Sequence, residues 1–377
     1  MKDGLTWIEL SKDNFSHNLK TIRGLIGPKV ILAPCIKANA YGHGLIESAK
    51  ILSENGADWL CVDTVDEGLI LREHNISCPI LILGYIHPDE ITKVIDNKFR
   101  VFVYDENLAK LLSGEAVKKK VDVFIHMKVD TGMSRQGIRL EDLENFLNAI
   151  QLLPNLTIEG LATHFATSDE ISDRAYYAGQ IEKFDMAISI CKNKLGNSLI
   201  IHGANSGAVL TDPKSYYDLV RPGIAVYGYY PSDEVKASCQ KKNIKLLPVL
   251  SLYTKIVQVK HIKKGEGISY GCTYIASKEM KVAVLCIGYY DGIARVLGNI
   301  GFVLIHGEKA RIVGRVCMNM IIIDVTDILL ARSGDYAVII GRDGKNEITA
   351  DTIASLSGTV NYEVITRLRE STKRIIK

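Results

Sequence analysis

The chain has 377 residues, and its length, composition and charge limit what it can be. Because single hydrophobic cores stop growing at about 250 to 300 residues, two domains are expected. The hydrophobic content of 47% and charged content of 24% are typical of soluble globular proteins. No apolar run reaches the roughly 18 residues of a membrane span. The net charge of +3 is spread along the chain, which argues against a nucleic-acid surface.

The cysteines and the N-terminal residues indicate the cellular compartment of the protein. The eight cysteines are scattered without a CxxC pair, so neither a disulfide framework nor a metal site is expected. The first residues include an early acid and lack an apolar stretch of signal-peptide length. The sequence therefore predicts a cytoplasmic protein with no membrane or nucleic-acid partner.

Between about residues 30 and 230, short β-branched runs alternate with stretches of helical periodicity. The runs are Val30–Ile36, Asp58–Val62, Ile80–Gly84, Arg100–Val103, Val121–Val129, Thr157–His164, Ser198–His202 and Leu219–Val226. Stretches between them, such as Ala178–Lys194, repeat apolar residues at three- and four-residue spacing. Eight strand and helix repeats with nearly continuous apolar strands favour a closed (β/α)8 TIM-type barrel over an open doubly wound sheet.

After about residue 240 the pattern changes to strands without long helices between them. These strands are Leu247–Val259, Lys281–Ile287, Phe302–Ile305, Arg311–Val325 and Tyr336–Ile340. The polar segment Asp233–Lys245 is predicted to be a linker, Thr349–Arg367 a closing helix, and Leu5–Leu10 a strand able to pair with this region. We therefore predict an α/β protein with a barrel over residues 11–235 and a mainly-β domain formed by residues 1–10 and 240–377.

The residues that follow the barrel strands are the candidates for chemistry, because active sites of such barrels lie at the C-terminal strand ends. Lys37 ends the first apolar run, and Tyr41 follows four residues later. Partial desolvation of a lysine at this point favours the neutral amine that attacks a carbonyl to form a Schiff base. Taken alone, an ordinary exposed loop lysine is the commoner explanation.

Later strand ends add cations and small polar residues. They are Lys128 and Arg135, His164, Asn205 and Ser206, and Arg221 with Gly223 and Ile224. Such groups on one rim suit a phosphorylated, anionic ligand. Each of these residues is weak evidence for a ligand site by itself. A histidine such as His164 is more often part of the core, and an arginine such as Arg221 more often forms a salt bridge at a strand end.

Together these segments resemble the alanine racemase family. The matching segments are Ile36–Gly44 with the pyridoxal lysine, Lys128–Arg135, the phosphate-site stretches Ala204–Ser206 and Arg221–Gly223, Gly267–Gly271 with the catalytic tyrosine, the Gly-Tyr-x-Asp-Gly turn in Ile287–Gly292, and the Gly-Arg-x-Cys-Met segment in Val313–Met318. They occur in family order over essentially the whole chain, which makes chance agreement very improbable.

The resemblance implies a pyridoxal 5'-phosphate racemase that converts L-alanine to D-alanine for peptidoglycan. Lys37 would hold the cofactor and act as one base, and Tyr270 from the partner subunit of a homodimer would act as the other. Two bases on opposite faces of a planar carbanion are what racemisation requires. The other implied cofactor contacts are Tyr41, His164, Asn205, Ser206, Arg221, Gly223 and Ile224, with His164 supporting Arg221.

The resemblance also assigns residues to the substrate and its entrance. Arg135 and Met318 would contact the amino acid, and the entrance would be formed by Tyr289, Arg295 and Arg315. Lys128 beside Arg135 sets two cations close together, and the family carries a carbamylated lysine here, which turns repulsion into an ion pair. The alternative is an unmodified lysine that faces solvent.

Arg221 would meet the pyridine nitrogen of the cofactor, where most pyridoxal enzymes place a carboxylate. An arginine cannot accept the ring proton, so the ring becomes a weaker electron sink and side reactions are fewer.

Two departures from the family pattern leave the substrate open. Asn319 follows Met318 where aspartate is usual, and the tail has Arg369 and Glu370 where many alanine racemases have a pocket tyrosine. Serine racemisation, or mixed alanine and serine racemisation, is therefore the alternative. A non-catalytic pyridoxal-phosphate barrel is an alternative of another class, but it would lack the second domain. A related decarboxylase would need an acid at the position of Arg221.

Overall fold

A computed structural model describes residues 4–377, which divide into two compact units. The barrel unit comprises Asp13–Ala40 and Ser48–Pro248, and the mainly-β unit comprises the described residues up to Lys12, Tyr41–Glu47 and Val249–Lys377. None of the helices within residues 4–377 combines the length and the apolar character that crossing a membrane would require.

The barrel unit contains eight parallel strands that form its centre. They are Ile31–Leu32, Leu60–Val62, Ile80–Ile82, Arg100–Val103, Val123–Asp130, Leu156–Ala162, Ile200–His202 and Leu219–Val220. The second to the seventh pair in chain order, and the last pairs with the first. Backbone bonds complete the ring, from Asp218 N to Ile201 O at 2.9 Å and from Ile36 N to Cys61 O at 2.8 Å. The predicted closed barrel is confirmed.

Helices follow most of these strands, as the apolar periodicity predicts. Their bounds are Lys12–Ile26, Leu45–Glu54, Val65–Glu73, Ile91–Asp96, Glu106–Lys119, Leu143–Ile150, Ala175–Leu195, Ser206–Thr211 and Asp233–Lys241. The last of these corrects the predicted linker, which is largely helical. Ser232 caps it by accepting a hydrogen bond from Val235 N, and Asp233 and Glu234 in its first turn favour the helix dipole.

The mainly-β unit is built around one long strand, Leu250–Ile262. Its other strands are Thr6–Leu10, Gly267–Ile268, Tyr274–Ile275, Met280–Leu285, Phe302–Ile305, Glu308–Arg311, Ile321–Asp324, Tyr336–Asp343, Asn346–Ile348 and Lys373–Ile376. Thr6–Leu10 pairs antiparallel with the long strand, which confirms the predicted pairing of the first strand. The predicted closing helix is two helices, Ala350–Ser357 and Asn361–Thr366, because Gly358 ends the first with a φ of +67°.

Candidate active site

Lys37 lies five residues after the first barrel strand, Ile31–Leu32, and acidic side chains near the end of the next strand contact it and the adjoining backbone. Its Nζ lies 3.1 Å from Oδ1 of Asp63. One oxygen of the Glu67 carboxylate accepts a hydrogen bond from Ala38 N at 2.7 Å, and the other accepts one from Asp63 N at 2.8 Å. Glu67 thereby fixes the backbone on both sides of the Lys37–Asp63 pair.

The backbone after Lys37 has the left-handed helical conformation. Ala38, Asn39, Ala40 and Tyr41 have φ values of 54°, 53°, 52° and 53°. Each non-glycine residue in this region costs about 1 to 2 kcal/mol, so the turn is held by its surroundings rather than by local preference. Ala40 N donates to Ile36 O at 2.8 Å, which closes the turn. Strain of this kind at a strand end is a common feature of functional sites.

Arg221 is buried at the end of the last barrel strand, with only 4% of its surface exposed. Its Nη2 donates to Thr163 O at 2.7 Å, and its Nη1 contacts Nδ1 of His202. The supporting imidazole thus belongs to His202, whereas the sequence pointed to His164. Burial and then the charge of Arg221 lower the pKa of His164 well below its ordinary value, so His164 is a neutral neighbour.

Ser206 and the first turn after Arg221 form a small polar cradle. The buried Ser206 Oγ accepts hydrogen bonds from Gly223 N at 2.9 Å and Ala225 N at 3.2 Å. Ile224 begins the 3-10 helix Ile224–Tyr227 at this point. A hydroxyl and clustered backbone amides are the donors that a phosphate group needs. Asn205 holds the cradle from behind as a helix cap, since its Oδ1 accepts from Ala208 N at 3.1 Å.

Only 5% of the Lys128 surface is exposed. Its side chain therefore does not face solvent, whereas the alternative prediction for this lysine expected that it would. Its Nζ lies 3.3 Å from Oε1 of Gln136 and 5.0 Å from the centre of the Phe102 ring. Burial first, and then the charges of Arg221, Arg135 and Lys37, lower its pKa to about 7. Arg221, Arg135 and Lys37 are therefore each close enough to Lys128 for their charges to act on it, although Arg135 itself is exposed.

The predicted residues of the mainly-β unit lie on its surface. Tyr270 is 72% exposed, Met318 54% and Tyr289 43%. Hydrogen bonds join their segments, because the Ser269 hydroxyl donates to Arg315 O at 2.7 Å and Tyr289 N donates to Cys317 O at 3.0 Å. Tyr289 and Arg295 also line a groove of about 840 Å³ together with the closing helices.

The C-terminal segment that lacks the family tyrosine contacts the Gly-Tyr-x-Asp-Gly turn through Arg369. The guanidinium of Arg369 lies 4.3 Å from the ring centre of Tyr290 and 3.5 Å from Oδ1 of Asp291. Glu370 is exposed, and so is Asn319, the other departure from the family pattern. Arg369 therefore neutralises an acid of the Gly-Tyr-x-Asp-Gly turn, a contact that sequence alone did not indicate.

Sequence reasoning missed Asp63, Glu67 and His202 as parts of the site. Asp63 follows an apolar strand and His202 ends one, so the rule that located Lys37 also applied to them. Glu67 is indicated by a different sequence pattern, because Thr64 and Glu67 form the S/T-x-x-E capping box of the helix Val65–Glu73.

Comparison with known proteins agrees with this geometry. Residues 10–231 match the model of the alanine racemase N-terminal domain, and residues 249–376 match that of the C-terminal domain. The alanine racemase of Methanococcus maripaludis is 40% identical over 370 residues, which are 98% of either chain.

Solved structures give the same result. The alanine racemase of Bacillus anthracis, determined with bound L-Ala-P, superposes with a TM-score of 0.92 at 36% identity, covering 99% of this chain and 95% of its own. A histidine racemase from Leuconostoc mesenteroides superposes with a TM-score of 0.85 at 27% identity, covering 99% of this chain and 98% of its own. With both domains matched in order and a relative at 40% identity along its length, the chain belongs to the alanine racemase family of amino-acid racemases.

Proposed function

We propose that this chain is a pyridoxal 5'-phosphate-dependent racemase that interconverts L- and D-alanine and supplies D-alanine for peptidoglycan. The observation that carries the proposal is the grouping of cations towards the C-terminal ends of the barrel strands, where Lys37 and Arg221 both lie close enough to Lys128 for their charges to lower its pKa. A cationic rim with one lysine at its edge suits a phosphorylated aldehyde. The matching alanine racemases of other organisms support the same substrate.

The chemistry of the donors fits the cofactor. The Ser206 hydroxyl and the amides of Gly223 and Ile224 would hold its phosphate, with Tyr41 and Asn205 assisting. Arg221 would donate a hydrogen bond to the pyridine nitrogen and would favour its unprotonated form, since a guanidinium cannot accept a hydrogen bond from a protonated nitrogen. When bound, pyridoxal phosphate withdraws electrons from the α-carbon of an attached amino acid and makes its C–H acidic.

The chain itself would supply the two proton carriers. Lys37 holds the cofactor and, when released, takes or returns the α-proton on one face through its amine. Tyr270 serves the opposite face through its phenol oxygen. Because Tyr270 is 72% exposed on its own unit, we assign it to the site of a partner subunit in a homodimer. The exposed apolar side chains beside it, Met318 and Tyr289, form a patch suited to contact with a second surface.

Lys128 is proposed to carry a carbamate. A lysine that is partly neutral at physiological pH can attack carbon dioxide, and its pKa of about 7 gives it that reactivity. The modified side chain is an anion, so it can pair with Arg135, the proposed carboxylate contact for the substrate. Modification would thereby replace repulsion between the buried Lys128 and its neighbouring cations with attraction.

Serine is the second candidate substrate. Arg369 binds Asp291 and Tyr290 where the family commonly has a tyrosine, and this changes the polar groups at the Gly-Tyr-x-Asp-Gly turn. A structural neighbour named as a histidine racemase supports considering a substrate other than alanine.

The cofactor assignment can be tested chemically. The protein is incubated with pyridoxal phosphate, reduced with borohydride, digested and mapped, while D-alanine formation is followed in an unreduced sample. We expect one labelled peptide that contains Lys37, and D-alanine formation that depends on the cofactor. Labelling at another lysine, or no D-alanine from L-alanine, would contradict the proposal.

A further inference from the structure

A continuous line of buried polar side chains leads from Arg221 across the barrel interior to a carboxylate. Arg221 Nη1 contacts His202 Nδ1, and His202 Nε2 lies 2.7 Å from His126 Nδ1. His126 Nε2 lies 3.1 Å from Oε2 of Glu159. Both imidazoles are fully buried, and Glu159 forms a two-bond ion pair with Arg100 at 3.1 and 3.2 Å.

The chemistry of the groups fixes the direction of every bond in this line. A carboxylate only accepts, so His126 must donate from Nε2 to Glu159. His126 is neutral because burial lowers its pKa, so its Nδ1 is an acceptor and receives the Nε2 proton of His202. The pKa of His202 is also lowered, by burial and then by Arg221, which leaves its Nδ1 free to accept from Arg221. All donors therefore point from Arg221 towards Glu159.

We propose that Glu159 is a positioning residue that sets the tautomers of His126 and His202 and thereby orients the guanidinium of Arg221. The inference rests on the proposed function, because Arg221 matters for the reaction only if it meets the cofactor ring. Hydrogen bonds in such a chain polarise one another, so the negative charge of Glu159 strengthens each acceptor up to Arg221. Arg221 thus gains a partial counter-charge without a carboxylate at the cofactor.

Local structure is shaped to present Glu159 to the line. The register between the strands shifts there, since Ile125 pairs with Ile158 and His126 pairs with Gly160, which leaves Glu159 as an extra residue. A bulge of this kind re-aims a side chain. A Cβ at Gly160 would lie 2.3 Å from Nδ1 of His126, so only glycine leaves room for the imidazole.

Arg100 holds the carboxylate in place. Its guanidinium lies 5.1 Å from the ring centre of Trp59 and 5.2 Å from that of Phe124, between two aromatic faces. Burial alone would raise the pKa of Glu159, but the bonds from His126 and Arg100 outweigh it and leave that pKa below its ordinary value. Glu159 is therefore ionised in the folded protein at neutral pH.

The test compares wild type, Glu159→Gln and Glu159→Asp with the matched control Glu141→Gln, which removes the carboxylate from an exposed Arg139–Glu141 pair. Histidine labelled with ¹⁵N reports the protonated nitrogen of each imidazole in the whole chain, with and without pyridoxal phosphate. The His202 signals are assigned by their loss in a His202→Gln variant. This readout does not depend on turnover.

In the wild type we expect both His126 and His202 to be neutral, with the proton on Nε2. Glu159→Gln should move the ¹⁵N shifts of both histidines and lower kcat by about 10- to 100-fold with little change in KM, as outer residues of catalytic sites commonly do. Glu159→Asp should recover part of the loss, and Glu141→Gln should behave as wild type.

A proton on Nδ1 of His202 in the wild type would overturn the inference, and that measurement does not depend on how the Glu159 variants fold. Unchanged histidine signals in a folded Glu159→Gln protein would also overturn it. Absence of cofactor binding or racemisation in the wild type would contradict the proposed function instead, and the tautomer measurement on the cofactor-free protein would still stand.

Discussion

The barrel rim and the exposed face of the mainly-β unit hold their proposed functional residues in opposite ways. Arg221 is 4% exposed and Lys128 5%, and buried hydrogen bonds orient Arg221. Tyr270 is 72% exposed, and the neighbouring Ser269 holds this segment through a hydrogen bond from its hydroxyl to Arg315 O. The difference teaches that buried contacts within one chain organise the barrel residues, whereas the exposed Tyr270, under the proposed function, would become part of a site only against a second chain.

The largest expected effect is on the barrel half. Under the proposed function Lys37→Ala would remove both the cofactor attachment and one proton carrier, so we expect racemisation to fall by more than about 10⁴-fold. Lys50→Ala, at an exposed position of the following helix, is the control and should retain activity. Initial rates of D-alanine formation measure both variants. Substantial activity in Lys37→Ala would show that racemisation does not require Lys37.

The next effect concerns stability in the mainly-β unit, which is tightly packed behind its exposed face. A Cβ at Gly42 would lie 1.9 Å from the Ile365 carbonyl oxygen, at a φ of +82°. Gly56 has a φ of +101° with nothing within 4 Å, so Gly56→Ala carries only the backbone cost. We expect Gly56→Ala to cost about 1 kcal/mol and Gly42→Ala at least about 2 kcal/mol more. Denaturant unfolding measures the free energy of unfolding of both variants. Equal losses of stability would contradict the close packing of Gly42 against Ile365.

A smaller loss of activity is expected from removing carbon dioxide, because this change affects only the proposed carbamylation of Lys128 in the barrel unit. With a pKa of about 7, the neutral fraction of unmodified Lys128 grows as the pH rises through 7, so carbamylation should increase from pH 6 to pH 8. We expect a ¹³C-carbamate resonance with labelled bicarbonate and an activity loss of about tenfold or more on its removal.

Lys128→Gln is the control for that resonance, because an amide cannot be carbamylated in the same way. A resonance that persists in Lys128→Gln would assign the modification to another lysine. No resonance in the wild type at saturating bicarbonate would show that Lys128 stays an amine.

The smallest effect concerns substrate choice at the exposed half. We expect kcat/KM to favour alanine over serine by less than about 10³-fold, because a pocket that merely tolerates an added hydroxyl discriminates weakly. Arg369→Ala breaks the contacts with Asp291 and Tyr290 and should change the ratio by about tenfold or less. Arg342→Ala, at an exposed pair with Glu347, should leave it unchanged. A preference for serine would move the assignment to serine racemisation without altering the mechanism.

The predictability of the two halves also differs, for physical reasons. The barrel and Lys37 follow from the sequence because strand ends of a parallel barrel share one rim, so an apolar run that ends in a lysine is informative. The role of Glu159 depends on a bulge at Glu159, and the side-chain alternation of a regular strand does not reveal such an extra residue.

Two other features show where local patterns failed. Ala38 and Ala40 are left-handed although alanine strongly prefers the right-handed helix, so only the folded surroundings determine that turn. The polar composition of residues 233–245 predicts a linker, whereas residues 233–241 form a helix that the Ser232 side chain caps, and that cap is the better sequence signal.

The most direct test of a site shared between two chains is complementation of Lys37→Ala by Tyr270→Phe. The two variants are co-expressed with different tags, and the mixed dimer is isolated and assayed for D-alanine formation. If Tyr270 serves the partner's barrel, each mixed dimer holds one intact site and one doubly defective site, so we expect about half of the wild-type activity per dimer. Activity no greater than that of the two parent variants would place both bases in a single chain and contradict the account.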